Sequence, residues 1–193
     1  MSAPTFKKTK VQQKINLKEE FGVDVSDRPD LAEALGQAII DKMVTRTKAS
    51  KGMQFSGNGA GREIDLSSKK YSKSYKDSRE FKAFGKTNKV NLTLTGDMLG
   101  QIDITKLKGN SVTIGWDDAE ENAKAHGHST GKNGKVPKMK RPFFGVNKKE
   151  LQGLKKEFKS DLNKVLKEEQ TKKQKALTNN LLKALGALSD GKN

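Results

Sequence analysis

The chain has 193 residues and carries 39 Lys+Arg against 23 Asp+Glu, a formal net charge of +16, with 32% hydrophobic and 6% aromatic residues. That length suits one domain, with or without an extension, and the apolar share, below the roughly 45–50% of an ordinary soluble domain, predicts a small core. No run approaches the ~20 apolar residues of a membrane span, zero cysteines exclude disulfides and thiolate chemistry, and two histidines leave little for metal or triad sites.

The N-terminal MSAPTFKKTK has no apolar run behind its lysines, so no secretory signal is expected. Residues 1–25 read as a polar arm, with Lys10–Leu17 as an edge strand or part of that arm. A helix follows. Ser26 or Asp27 can cap it, Pro29 suits its first turn, and Asp30 and Glu33 favour its positive end. Leu31, Ala34, Leu35, Ala38, Ile39 and Met43 recur at helical spacing as one core-facing stripe. Arg46 and Lys48 sit where the C-terminal dipole favours cations.

Residues 50–90 change character. SKGMQFSGNGAGR (Ser50–Arg62) reads as a flexible glycine-rich loop, because a phosphate-cradling loop needs Gly-Lys-Ser/Thr or a strand–Gly–helix context. Beyond it, Tyr71, Tyr75, Phe81 and Phe84 interleave with lysines. Such aromatics can stack on single-stranded bases, but anchoring a long loop to the body is the preferred reading. The whole stretch is expected to order upon assembly.

From Val90 the pattern tightens. VNLTLTG leads to an apolar turn at Met98 and Leu99, and Gln101–Leu107 and Ser111–Trp116 alternate about Lys108-Gly109-Asn110 as a β-hairpin. Asp117, Asp118, Glu120 and Glu121 form an acidic cluster, read as a solvated loop or a docking patch for a basic neighbour. His126 and His128 would share a face in a strand, but their Gly/Lys-rich surroundings disfavour a divalent ion, and neither a metal nor a cofactor is expected. Arg141-Pro142-Phe143-Phe144-Gly145-Val146 reads as a bend feeding the last helix, with both phenylalanines anchored in the core. Arg141 is free to pair with an acidic loop or to reach a neighbour.

The C-terminal third is helical. Leu151, Leu154, Phe158, Leu162 and Val165 form one amphipathic seam. The polar run Lys167–Lys175 interrupts the pattern, as a bend in one helix or a break between two. A second seam, Leu177, Leu181, Leu185 and Leu188, is suited to a neighbouring subunit or another partner.

Charge is spread rather than confined to a tail: residues 51–110 and 148–193 each carry +6, and 1–50 and 111–147 each carry +2. Only Arg28, Arg46, Arg62, Arg79 and Arg141 are arginine. Lysine lacks the arginine fork, so any DNA contact is electrostatic and does not read sequence.

Four stretches taken in order carry a resemblance: Val90–Ile102 (VNLTLTGDMLGQI), Ser111–Asp118 (SVTIGWDD), Ala123–Gly131 (AKAHGHSTG) and Lys140–Leu151 (KRPFFGVNKKEL). They resemble the tailed-bacteriophage virion-morphogenesis, or tail-completion, proteins of the head–tail junction. Leu92, Thr95, Gly96, Met98 and Leu99 match that group's "L-x-x-TG-x-(M/L)-L" signature, and Arg141, Pro142, Phe143, Phe144 and Gly145 match its "RPF-(F/L)-G". The likeness covers roughly residues 30–160.

The expected fold is α+β: a small antiparallel sheet packed against an N-terminal helix and a long C-terminal helix. The expected organisation is an arm (1–25), a core (26–160) with its long loop (50–90), and a helical extension (161–193). The resemblance implies a non-enzymatic, ring-forming subunit of the virion neck, made in the host cytoplasm, joining a DNA-filled head to a tail. Its implied partners are copies of itself, neighbouring neck, connector or tail proteins, and double-stranded DNA touched non-specifically in the channel, with no membrane. A tail terminator is the alternative within the virion. A basic, non-sequence-specific nucleic-acid-binding protein is the alternative outside it.

Overall fold

A computed structural model of the chain describes residues 5–7, 10–56, 60–92, 97–133, 136–137 and 139–190, with side chains for all of these except 5–7, 132–133, 136–137 and 183–190. Residues 1–154 form one compact unit and residues 155–193 a second.

Strands β1 (Thr5–Lys7) and β2 (Lys10–Asn16) lead into helix α1 (Leu17–Phe21). The Asn16 side chain caps α1 by accepting from the Lys18 and Glu19 amides, and Gly22 ends it in the left-handed region. Helix α2 spans Pro29–Lys48, with proline in its first turn as expected. Its cap position is Arg28, which makes no side-chain cap bond, rather than Ser26 or Asp27. Leu31, Leu35, Ile39 and Met43 are buried as the stripe predicts, joined by Ala32, Gly36 and Ile40, whereas Ala34 is exposed.

Where a flexible glycine loop was expected, β3 (Lys51–Phe55) and β4 (Gly61–Asp65) form an antiparallel hairpin with Lys51 opposite Asp65. Residues 57–59 of that expected loop lie outside the described residues. Two short helices follow, α3 (Lys73–Lys76) and α4 (Arg79–Ala83). Each is capped by a serine: Ser72 accepts from the Tyr75 amide and Ser78 from the Phe81 amide. Residues 50–90 are therefore largely built from short elements.

Helix α5 (Asp97–Gly100) precedes β5 (Asp103–Lys108) and β6 (Ser111–Gly115), the predicted hairpin, which turns at Gly109 with φ 53°. Helix α6 (Ala119–Thr130) corrects two expectations. Asp118 caps it by accepting from the Glu121 amide, and Glu120 and Glu121 fill the first turn, where the helix dipole favours acids. The acidic cluster thus starts a helix, and His126 and His128 lie on that helix rather than along a strand. Strands β7 (Lys132–Asn133) and β8 (Val136–Pro137) form a minimal pair. Helix α7 (Lys148–Glu157) ends at Phe158, and α8 (Lys159–Asp190) then runs unbroken through the polar stretch where a bend or break was expected.

The main sheet is antiparallel, in the order β1-β2-β6-β5. Lys10–Asn16 is therefore an interior strand, and the apolar residues from Val11 to Val25 are buried in the body. Val11, Gln13 and Ile15 point to the buried face, with Gln13 opposite Ile114 and Ile15 opposite Val112. Helix α2 lies across β5 and β6. At Gly36 a Cβ would stand 2.6 Å from Ile104 Cδ1, so the absent side chain is what lets helix and sheet close. The turn of the β5–β6 hairpin also holds the N-terminal region. Asn110 accepts from the Leu17 amide through its carbonyl and from the Val25 amide through its side chain, both at 2.7 Å. The architecture is α+β, with a small antiparallel sheet, an N-terminal strand and helix region, and a long C-terminal helix.

Candidate functional site

The segment 141–147 runs without regular structure through the first unit, so its backbone polar groups need partners other than a sheet. Pro142 accepts from the Met53 amide at 3.0 Å, and the Arg141 amide donates to the His128 carbonyl at 2.8 Å. The buried Gln13 side chain acts as a surrogate strand for Val146. Its Oε1 accepts from the Val146 amide at 2.9 Å, while its Nε2 donates to the Val146 carbonyl at 3.2 Å. Arg46 serves two further carbonyls. Its Nη2 donates to the Phe143 and Gly145 carbonyls at 2.6 and 2.8 Å, and its Nη1 contacts both Glu150 oxygens at 2.7 Å. The Arg46 and Glu150 side chains are 4% and 12% exposed, so this is a buried ion pair whose cation also holds two main-chain acceptors.

The four sequence stretches meet around this segment. Trp116 donates its indole N–H to the Met98 carbonyl at 2.6 Å. Its ring packs edge-on against Phe143 and tilted against Phe144, with centroids 6.1 and 4.9 Å apart. The His128–Arg141 backbone bond brings in the third stretch. Phe143 and Phe144 are essentially fully buried, as expected, and Leu92, Met98 and Leu99 are buried too. Leu92 holds a left-handed φ of 55°, and Gly145 a φ of 105°. Thr95 and Gly96 lie outside the described residues.

Arg141 packs on Tyr71 rather than pairing with the acidic residues at 117–121. Its guanidinium lies 5.3 Å from the Tyr71 ring centroid and donates to the Lys70 carbonyl at 3.0 Å. Tyr71, Tyr75 and Phe81 pack on one another with centroids 5.2–5.6 Å apart, the anchoring role preferred for them, whereas Phe84 stays exposed. Lys86 Nζ lies 5.8 Å from the Tyr71 ring and donates to Asn91 Oδ1. Burial pushes the Tyr71 hydroxyl up and the Lys86 and Arg141 cations down from their ordinary values.

Elsewhere, a recess of about 390 Å³ beside the β3–β4 hairpin is lined by Lys51, Lys89, Glu63 and Asp65 among others, so its charges balance. Among the described residues no three His, Cys, Asp or Glu side chains converge as a metal set. On α8, Leu177 and Leu181 are 69% and 65% exposed, and Leu182, which the sequence reading did not single out, is 61% exposed. Leu185 and Leu188 lie on the same helix, with side chains outside the described residues.

Sequence reasoning placed Arg46 at the end of α2 but missed its buried partners, and it missed Glu150 and Gln13 altogether. One signal was present: Arg46 falls three residues after Met43, on the buried stripe of α2, where the chain's lysines are absent. Gln13 likewise alternates in phase with Val11 and Ile15.

No family model matches the chain, and neither a curated protein nor a solved structure matches it.

Proposed function

We propose that the chain is a structural, non-catalytic subunit of a tailed-bacteriophage neck. It assembles as a homo-oligomeric ring between the DNA-filled head and the tail. The observation that carries this reading is the convergence of the four resembling stretches: Met98, Trp116, His128, Arg141, Phe143 and Phe144 are joined by packing or direct hydrogen bonds. Residues that share a sequence likeness and also build one core support a likeness of fold, and a ring subunit needs its signature in the fold rather than in a catalytic cleft. The exposed leucines of α8 supply what assembly requires, an apolar stripe offered to a neighbouring copy or an adjacent neck protein.

Native mass measurement and negative-stain imaging of the purified chain test the reading. Rings, or assembly on addition of neighbouring virion proteins, are expected, as are portal and tail genes beside its own. A soluble monomer or dimer absent from virions would overturn it and favour the basic nucleic-acid-binding protein, a reading supported by the +16 charge. Position along the neck, as completion ring or tail terminator, follows from which neighbour the purified chain caps.

A further inference from the structure

Residues 69–89 hold eight lysines and arginines against only Asp77 and Glu80. This accounts for the whole +6 of the 51–110 region. The segment is firmly built. Serine caps begin α3 and α4, and on its inner side Tyr71, Tyr75 and Phe81 form an aromatic knot held from the core by Arg141. Because the aromatic rings turn inward, the cations turn outward. Lys70, Lys73, Arg79, Lys82 and Lys89 are exposed and Lys76 half-exposed. Among the described residues none of these six is in an ion pair.

We propose that this face binds the phosphate backbone of duplex DNA without reading its sequence. Three observations choose that partner. Five of these six cations are lysines, point charges suited to a phosphate lattice rather than to base edges. A protein partner needs apolar anchors at the centre of its interface, and this segment turns Tyr71 and Phe81 inward, leaving Phe84 as its exposed aromatic. A single-strand groove stacks successive bases on a row of open aromatic faces, whereas Tyr71, Tyr75 and Phe81 are occupied by one another and Phe84 stands apart from them. The inference deepens the proposed function by naming the surface that meets DNA, and it rests on that reading only for where the duplex is encountered.

The test titrates the full chain against a mixed-sequence duplex by fluorescence anisotropy over a series of salt concentrations. Each phosphate contact contributes about 0.9 to the slope of log affinity against log salt, so Lys73→Gln/Lys76→Gln/Lys82→Gln should flatten the slope by about 2.7. Replacing Lys172, Lys173 and Lys175 with Gln removes the same charge from exposed positions on α8 and should leave the slope unchanged. Equal flattening by both triple variants, or none by the first, overturns the proposal in favour of diffuse charge. Competition by polyglutamate as effective as by duplex overturns it in favour of an acidic protein. Tighter binding to single strands overturns it as well. Ring formation is scored separately by native mass. A chain that assembles but ignores duplex loses this inference alone, and one that binds duplex but never assembles loses the neck reading alone.

Discussion

Replacing Arg46 with Ala removes the donor that ties α2 to the 141–147 segment and to α7. Four contacts vanish, two to the Glu150 carboxylate and one each to the Phe143 and Gly145 carbonyls. The larger loss lies in what remains: a carboxylate only 12% exposed without its cation, and two carbonyls without their donor. Glu150 keeps the Asn147 amide at 3.2 Å, which offsets little of this. Breaking a buried pair on one side costs about 3–5 kcal/mol. For a chain of this length that corresponds to a fall in Tm of about 6–20 °C. Arg46→Lys retains charge, but a single ammonium cannot serve Glu150 and both carbonyls in the same geometry, so about 1–3 kcal/mol is expected to be lost. Glu150→Ala in the Arg46→Ala background no longer strands a carboxylate. The double variant should therefore be about 2–3 kcal/mol more stable than the sum of the single changes predicts. Urea unfolding of the four proteins, with m-values compared, measures the cycle. Loss of under about 1 kcal/mol for Arg46→Ala, or an additive cycle, would refute the brace.

Phe143→Ala and Phe144→Ala should each cost about 3–5 kcal/mol, since both rings are buried against Trp116; a wild-type Tm for both would point instead to an interface role. Gly52→Ala drives a Cβ into the Pro142 carbonyl, which accepts from the Met53 amide. A loss of about 3 kcal/mol is expected in chemical denaturation, and a neutral result would mean that the hairpin does not approach the segment so closely. Lys18 above all, with Ser26 and Asn110, holds the Asp24 carboxyl well below its ordinary value of 3.8. The unfolded chain therefore binds this proton more tightly, and stability contributed by Asp24 is present above 3.8 and lost as pH falls. The stability difference between wild type and Asp24→Asn should shrink between about pH 5 and pH 2; a constant difference across that range counts against the network. Deleting residues from Thr171 onward removes the exposed Leu177, Leu181 and Leu182. The truncated chain should keep its cooperative transition and lose self-association or incorporation into virions, whereas loss of the transition would assign the stripe to the subunit's own core.

The elements most visible in the sequence were those whose signals are local. The α2 stripe, the alternation and turn of the 103–115 hairpin, and the leucine periodicity near the C-terminus each follow from side chains within a few positions of one another. The signal for helix α6 is equally local, since acidic residues at a helix start favour its capping, although the same cluster taken alone also fits a solvated loop or a docking patch. Elsewhere the deciding partner was distant in sequence. Lys10–Asn16 is a polar strand whose inner neighbour, β6, lies about a hundred residues on, so its place against the core is decided by a distant partner. Gly52 looked like loop composition because its purpose, close approach to the Pro142 carbonyl, belongs to the other end of the fold. Composition was sufficient to establish a basic surface. Which cations are free and which are structural depended on tertiary contacts: Arg46 is buried on a carboxylate and two carbonyls, Arg141 lies on a tyrosine, and Lys73 and Lys82 face solvent. Charge is a property of each residue, but burial and pairing are properties of what the folded chain brings beside it.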